Sequence, residues 1–245
     1  MNATAVLHSE WIKLKSLRGT AGSLLAVLLV TVGITALAFA TIGRSEADNA
    51  GAEPVYDAFY ALNFGQIAAI TFGATAVSSE YVGGALRVSL AAVPRRGLLY
   101  AAKAAVVGAL ALVVGVATSF TAFLVGQSFL GPYAIGLDRP GAVRACLGAG
   151  IYLALMALLA AGLTTVLRSG VAVLSILIPF ILIVSFVVGD VAGGAADFLP
   201  DRAGQQILHE HPAGTLGAWS GLAVCAAWAA AALLAGWWSL RRRDA

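Results

Sequence analysis

Six stretches of at least 21 residues contain no charged side chain, and this pattern constrains the fold more than any other feature of the sequence. These stretches cover residues 20–42, 58–79, 104–126, 145–167, 169–189 and 216–240. About 20 helical residues cross the hydrocarbon core of a bilayer, where the backbone must satisfy its own hydrogen bonds. The sequence therefore predicts an all-α polytopic membrane protein, with a six-helix transmembrane domain over residues 20–245.

The composition excludes a soluble fold. Of the 245 residues, 60% are hydrophobic and 11% are charged, whereas soluble domains carry about 25% charged residues. The high apolar content also excludes a disordered chain. Cys146 and Cys225 lie in apolar stretches without neighbouring His or Cys, which excludes a disulfide scaffold and a cysteine-based zinc site.

The positions of Lys and Arg predict the orientation in the membrane. With the N-terminus inside, eleven basic residues fall in inner segments: Lys13, Lys15, Arg18, Arg87, Arg95, Arg96, Lys103, Arg168, Arg241, Arg242 and Arg243. Four fall in outer segments: Arg44, Arg139, Arg144 and Arg202. Because cytoplasmic loops are enriched in basic residues, both termini are predicted to be cytoplasmic. The net charge of +3 then reflects topology, not nucleic-acid binding.

The segments between the spans have neither the size nor the motifs of a catalytic domain. The longest, 190–215, has 26 residues, and the chain contains no G-x-x-x-x-G-K-S/T, G-x-S-x-G or H-E-x-x-H motif. No span carries a mid-depth acid of the kind that proton relays use. We therefore expect a chain that is not an enzyme and that draws any energy for transport from another protein. Two alternatives stay open, a membrane anchor for a cytoplasmic partner and a gradient-driven secondary transporter.

Residues 1–19 form a distinct element before the first span. Four apolar residues recur at the spacing of one helical face: Leu7, Trp11, Leu14 and Leu17. Lys13 and Lys15 flank this face and can extend towards lipid headgroups. The pattern predicts an amphipathic elbow helix in the cytoplasmic interface of the membrane. The alternative is an ordinary basic lead-in to the first span.

The segment 80–103 has the pattern of an exposed docking helix. It begins with Glu80 and the pair Gly83 and Gly84, and a Pro-Arg-Arg-Gly sequence at 94–97 ends its apolar and basic stretch Ala85–Ala92. Three apolar residues share a face of that stretch, with Arg87 beside them: Leu86, Leu90 and Val93. Such a helix is suited to a groove on another protein. The alternative is a basic loop that only enforces topology.

These residues resemble the cytoplasmic loop of ABC-2-type transporter permeases, the transmembrane subunits of bacterial type-2 ABC exporters. In that family an acid at the end of span two precedes a Gly turn, a coupling helix and a Pro-Arg pair. The matching positions are Glu80, Gly83, Gly84, Arg87, Leu90, Pro94, Arg95 and Lys103. Arg96 lies in the same turn and is included among the predicted docking residues. Residues 8–20, which include Glu10 and Trp11, resemble the amphipathic start of the family.

The resemblance implies a half-transporter in the bacterial inner membrane. Two permeases, identical or related, would pair within the lipid bilayer, and each coupling helix would sit in a cleft of a separate cytoplasmic ATPase. ATP and Mg²⁺ would bind to that partner, so no cofactor is expected in this chain. The substrate is not specified by the sequence, and an export direction follows from the family alone.

The outer segment 190–215 is long, glycine-rich and acidic. A short helix is expected around 203–208, and the resemblance implies that it is re-entrant. His209, Glu210 and His211 offer imidazole and carboxylate groups, which are ordinary metal ligands. Adjacent residues of this kind more often lie in a solvated loop, and we expect no metal site.

Overall fold

The computed structural model describes residues 2–16, 18–47, 53–185, 187, 193–211 and 215–242, and every regular element in these ranges is helical. Eleven α-helices occur there: α1 Ala3–Ser16, α2 Arg18–Thr41, α3 Gly43–Ala47, α4 Pro54–Asp57, α5 Leu62–Ser78, α6 Ala85–Ala92, α7 Arg96–Leu130, α8 Ala142–Leu167, α9 Gly170–Pro179, α10 Pro200–Gln205 and α11 Ala218–Arg242. Four short 3₁₀ turns, Ser79–Tyr81, Gly131–Tyr133, Gly193–Phe198 and Gln206–Leu208, and a π turn, Phe180–Val184, lie between them. The all-α prediction is confirmed.

Four helices are long and apolar enough to cross a membrane: α2, α7 with its 3₁₀ extension to Tyr133, α8 and α11. They coincide with the first, third, fourth and sixth predicted spans. The second predicted span lies on α5, which has 17 residues. The fifth lies on α9 and the π turn that follows Pro179, and residues 186, 188 and 189 of it lie outside the described residues. Crossing by α5 and α9 stays a prediction.

Helix α8 lies at the centre of the bundle and α2 lies at the perimeter. In α8, 72% of the most apolar segment is buried, whereas in α2 the buried share of the corresponding segment is 17%. Glycines let neighbouring helices approach α8 through their backbones. A Cβ added at Gly73 of α5 would lie 2.0 Å from the Ala157 carbonyl oxygen of α8. A Cβ added at Gly150 of α8 would likewise lie too close to the backbone of Val116 in α7. Small residues allow such close contact between helices in lipid.

Contacts between helix ends define two ends of the bundle. At the first, which we call the terminal end, Arg96 donates to the Leu240 carbonyl at 3.1 Å and α1 packs against the start of α7. At the other, the far end, Arg44 donates to the Phe129 carbonyl at 3.3 Å. The first and last described helices, α1 and the end of α11, therefore lie at the same end of the bundle.

Helix α1 packs against the bundle through a stripe that its apolar spacing did not assign. Val6, Glu10 and Leu14 are buried, whereas Leu7 is 37% and Trp11 is 45% exposed. Leu14 alone of the predicted face points inward, and Leu17 lies outside the described residues. Glu10 occupies the inward stripe and is neutralised there by lysines. Leu7 and Trp11 stay exposed, and their contact with the membrane interface stays a prediction.

The segment 80–103 contains the expected short helix, α6, but its orientation differs from the prediction. Leu86 and Val93 are buried and Leu90 is half-buried, so the apolar face packs against the bundle. Helix α7 begins at Arg96, so residues 96–103 extend the third predicted span instead of belonging to a loop. Past Pro94 no residue breaks the helix, which explains the early start.

At the far end, α10 and the turn Gln206–Leu208 fill a gap between α8 and α11 where the sequence predicted a short helix. A Cβ at Gly148 would meet the Ile207 side chain, and one at Gly221 would meet the Ala203 carbonyl.

His209 stacks on Tyr56 with 4.1 Å between ring centroids, and Glu210 pairs with Arg139. No cluster of metal-ligating side chains occurs in the described part of the chain.

Candidate functional site

Four charged side chains form a closed ring at the terminal end of the bundle. The Lys13 ammonium lies 2.7 Å from Oε1 of Glu10 and 3.4 Å from Oε1 of Glu80. The Lys103 ammonium lies 2.8 Å from Oε2 of Glu10 and 2.8 Å from Oε1 of Glu80. Each lysine thus contacts both carboxylates, and the ring has no net charge. We call this group the charge ring.

Ser89 attaches α6 to the charge ring. Its hydroxyl donates to Oε2 of Glu80 at 2.9 Å and accepts from the Lys13 ammonium at 2.8 Å. The ring and Ser89 therefore join α1, the turn Ser79–Tyr81 that follows α5, α6 and α7.

The local sequence explains how the ring is assembled. Glu10 and Lys13 are one helical turn apart, a spacing at which side chains meet. Gly83 and Gly84 adopt positive φ angles of 63° and 76°, a conformation that glycine adopts without steric cost. These two residues reverse the chain after Glu80 and turn α6 back, so that Ser89 faces the carboxylate.

The ring is buried. Glu10 is fully buried, and Glu80 and Lys103 are 7% and 6% exposed. Ions removed from water are tolerated only when they are paired and hydrogen-bonded. Every carboxylate oxygen of the ring lies within 3.4 Å of an ammonium group or a hydroxyl. Oε2 of Glu10 has its ion-pair contact with Lys103 but no hydrogen bond to a described residue.

Electrostatics in the ring favour the ionised forms of Glu80 and Lys13. Burial acts to raise the pKa of Glu80, but the ammonium groups of Lys103 and Lys13 and the Ser89 hydroxyl hold it below its ordinary value. Burial acts to lower the pKa of Lys13, but Glu10 and Glu80 hold it above its ordinary value. The stabilisation from Glu80 is therefore full above the ordinary carboxyl range and is lost as the pH falls through the lowered pKa.

The structure distributes the predicted site residues over two surfaces. Glu80 lies in the ring, and Leu90 is half-buried beside Val6 and Leu99. Arg87, Pro94 and Arg95 are exposed together with Gly83 and Gly84, and Arg96 is half-buried against α11. The most exposed large apolar side chain of α6 is that of Val88, in the middle of the helix, which is 73% exposed and which the sequence did not single out.

Two members of the ring system were missed or misplaced by sequence reasoning. Lys13 was expected to extend towards lipid headgroups, but its ammonium instead lies in the ring. Ser89 drew no attention, although it lies between the two predicted features of its segment, Glu80 and Pro94. The available signal was two acids and two lysines on segments that the charge pattern already placed at the same side of the membrane.

Comparison with known proteins decides the family. A family model described as ABC-2 family transporter protein matches residues 6–186 of the 245. The chain belongs to the ABC-2 transporter family. A search of curated proteins finds no match. The matched range runs from α1 through α9 and contains the whole charge ring, Ser89 and α6, and it leaves α10 and α11 outside.

Membership of the ABC-2 family fixes the general role of the chain. It is a membrane component of an ABC-type transport system, a multi-pass protein whose family associates with an ABC ATPase. The charge ring lies at the end of the bundle that carries α6, where the resemblance places the contact with that ATPase.

A second polar group lies within the far half of the bundle. The Tyr152 hydroxyl of α8 donates to Oε1 of Gln66 in α5 and accepts from Gln205 of α10 at 3.4 Å. Gln205 also donates to Asn63 at 3.0 Å. Tyr152 and Gln66 are buried, so this group ties the short far-end helix to two core helices.

Proposed function

We propose that this chain is the permease subunit of an ATP-driven exporter in the bacterial inner membrane. It crosses the membrane six times with both termini in the cytoplasm, and a separate ATPase binds ATP and Mg²⁺. The family match, the bias of eleven inner against four outer basic residues, and the location of α1 and the end of α11 at one end support this proposal. The single observation that carries the mechanism is the charge ring.

The ATPase docks on the exposed side of α6. This side presents Val88, 73% exposed, between the exposed Arg87 and the small residues Ala91 and Ala92. Arg95 follows at the end of the helix and is exposed as well. One protruding apolar side chain with a basic rim fits an apolar groove bordered by acidic residues. The opposite side of α6, with Leu86 and Ser89, holds the helix to the bundle.

The charge ring transmits the motion of α6. The ATPase closes on ATP and displaces α6. Ser89 moves with the helix and displaces Glu80 and Lys13, to which it is hydrogen-bonded. Through Lys103 the same displacement reaches α7, which has 35 residues and runs the full length of the bundle. A closed network of buried ion pairs favours rigid transmission over local rearrangement, since opening it exposes unpaired charges. Motion of α7 then opens the transport path.

The permease works as a pair in the lipid bilayer. Within one chain, only 17% of the most apolar segment of α2 is buried. Most of the surface of this helix is therefore left for lipid or for a second permease. The partner permease is a second copy or a related chain. The exposed apolar residues Leu7, Trp11 and Ile12 of α1 contact the cytoplasmic leaflet in this arrangement.

We expect Val88→Asp to abolish binding of the ATPase and to leave the fold intact. The substitution places a charge in the apolar groove of the partner, and because Val88 is 73% exposed it disturbs little within the chain. Burial of an unpaired charge costs several kcal/mol, so we expect at least about a hundredfold loss of affinity. The measurement is retention of the ATPase on the tagged permease in mild detergent.

Val143→Asp is the matched control for this experiment. Val143 is 44% exposed in the first turn of α8 at the far end, where no ATPase contact is proposed. This variant is expected to keep the ATPase. If Val88→Asp and Val143→Asp retained the ATPase equally, α6 would not be part of the docking surface.

A further inference from the structure

A cavity of about 390 Å³ opens between α1, α2 and α7 at the terminal end of the bundle. Its volume lies within the range of about 300–1,000 Å³ that ligand sites occupy. The floor is the side chain of Phe72 in α5, which is fully buried. The rim includes Trp11 and Leu25, which are 45% and 56% exposed, so the cavity is open at the perimeter of the bundle.

The walls of the cavity are almost entirely apolar. Leu24 and Leu28 of α2 face Leu110 and Val114 of α7 across it. Thr20 and Leu28 are about two helical turns apart, so the cavity extends about 12 Å along α2. A narrow apolar slot of this length between two membrane-spanning helices has the shape and chemistry of a site for an aliphatic chain.

Two polar side chains of the cavity, Lys15 and Trp11 of α1, are exposed at its mouth. Thr20, in the first turn of α2, is buried. Lys13 is engaged in the charge ring, whereas Lys15 is exposed and forms no ion pair with a described residue. Lysine and tryptophan side chains favour the headgroup level of a bilayer. The charge of Lys15 therefore complements an anionic headgroup above the apolar slot.

We propose that this cavity binds one acyl chain of an anionic phospholipid from the leaflet at the terminal end. The chain fills the slot between α2 and α7, and the lipid phosphate pairs with Lys15 beside Trp11. The lipid then bridges α1 to α2 and α7. This site is separate from the docking surface on α6, and the proposal does not depend on ATPase binding.

The test measures lipid retained by the purified full-length chain. The chain is incorporated into bilayers of equal parts phosphatidylglycerol and phosphatidylcholine, extracted in mild detergent and analysed by native mass spectrometry. Ala21→Trp fills the slot from α2, since Ala21 lines it. The control, Leu29→Trp, adds a ring on the same helix at a position that is 58% exposed and outside the cavity.

We expect phosphatidylglycerol on the wild type and on Leu29→Trp and its loss from Ala21→Trp. Lys15→Gln is expected to lower the ratio of bound phosphatidylglycerol to phosphatidylcholine about fivefold, the contribution of one lysine at a membrane surface. This variant changes an exposed side chain and so decides the question even if Ala21→Trp does not fold.

Three results would overturn the proposal. The first is equal lipid retention by Ala21→Trp and Leu29→Trp. The second is a lipid ratio that Lys15→Gln leaves unchanged. The third is a wild-type chain without lipid whose dimeric mass Ala21→Trp reduces to that of a monomer, because a second copy of the chain would then occupy the cavity.

Discussion

Lys103→Met is expected to lower the free energy of unfolding by about 3–5 kcal/mol, the typical cost of leaving a buried charge unpaired. The substitution removes the ammonium that lies 2.8 Å from both Glu10 and Glu80. Glu10, which is fully buried, then keeps Lys13 alone as its partner. Cys146 and Cys225 are free and buried, so a thiol-reactive dye reports thermal unfolding in lipid-free detergent.

Two further variants make this prediction specific to the ring. Lys15→Met, the same change on an exposed lysine of α1, is expected to leave the unfolding transition within about 0.5 kcal/mol of the wild type. The double variant Glu10→Gln with Lys103→Met removes one acid and one base together. It is expected to lose less than the sum of the two single changes. A strictly additive double variant would show that the two side chains do not interact.

Gly73→Ala is expected to destabilise the fold by about 3 kcal/mol, the upper part of the usual range for overpacking. The added Cβ would lie 2.0 Å from the Ala157 carbonyl oxygen and 2.8 Å from its carbon. Both atoms belong to the backbone of α8, so α5 and α8 must separate to admit one methyl group. The greater helix propensity of alanine, about 1 kcal/mol, opposes this cost but does not offset it.

Gly33→Ala provides the matched control, measured by the same dye assay. Gly33 lies in α2, and an added Cβ would have nothing within 4 Å. Only the propensity gain acts there, so the variant is expected to be neutral or slightly stabilising. If Gly73→Ala unfolded at the temperature of Gly33→Ala, the close contact between α5 and α8 would be wrong.

The helical fold and α6 follow from local features that a sequence displays directly. Long charge-free stretches predict membrane-crossing helices, and four of the six coincide with helices of sufficient length. Gly83 and Gly84 at one side and Pro94 at the other set the limits of α6, Ala85–Ala92. Glycine and proline act through the backbone of their own segment, which is why these limits could be predicted.

The charge ring could not be predicted because it depends on contacts between distant segments. Lys13 and Glu80 are 67 positions apart, and Lys13 and Ser89 are 76 apart. The apolar helical wheel of α1 describes only its apolar face, so it could not show that Glu10 points into the bundle. The burial of Leu86 and Val93 follows from the same contacts, since Ser89 holds that side of α6 against the bundle.

The most direct test of the account is purification of the tagged permease from its native membrane with an assay of ATP hydrolysis. We predict a stoichiometric partner that carries a phosphate-binding loop and hydrolyses ATP, retained by Val143→Asp and lost from Val88→Asp. The permease alone is predicted to hydrolyse no ATP. A permease that purifies without an ATPase, or an ATPase that stays bound to Val88→Asp, would contradict coupling through α6 and the charge ring.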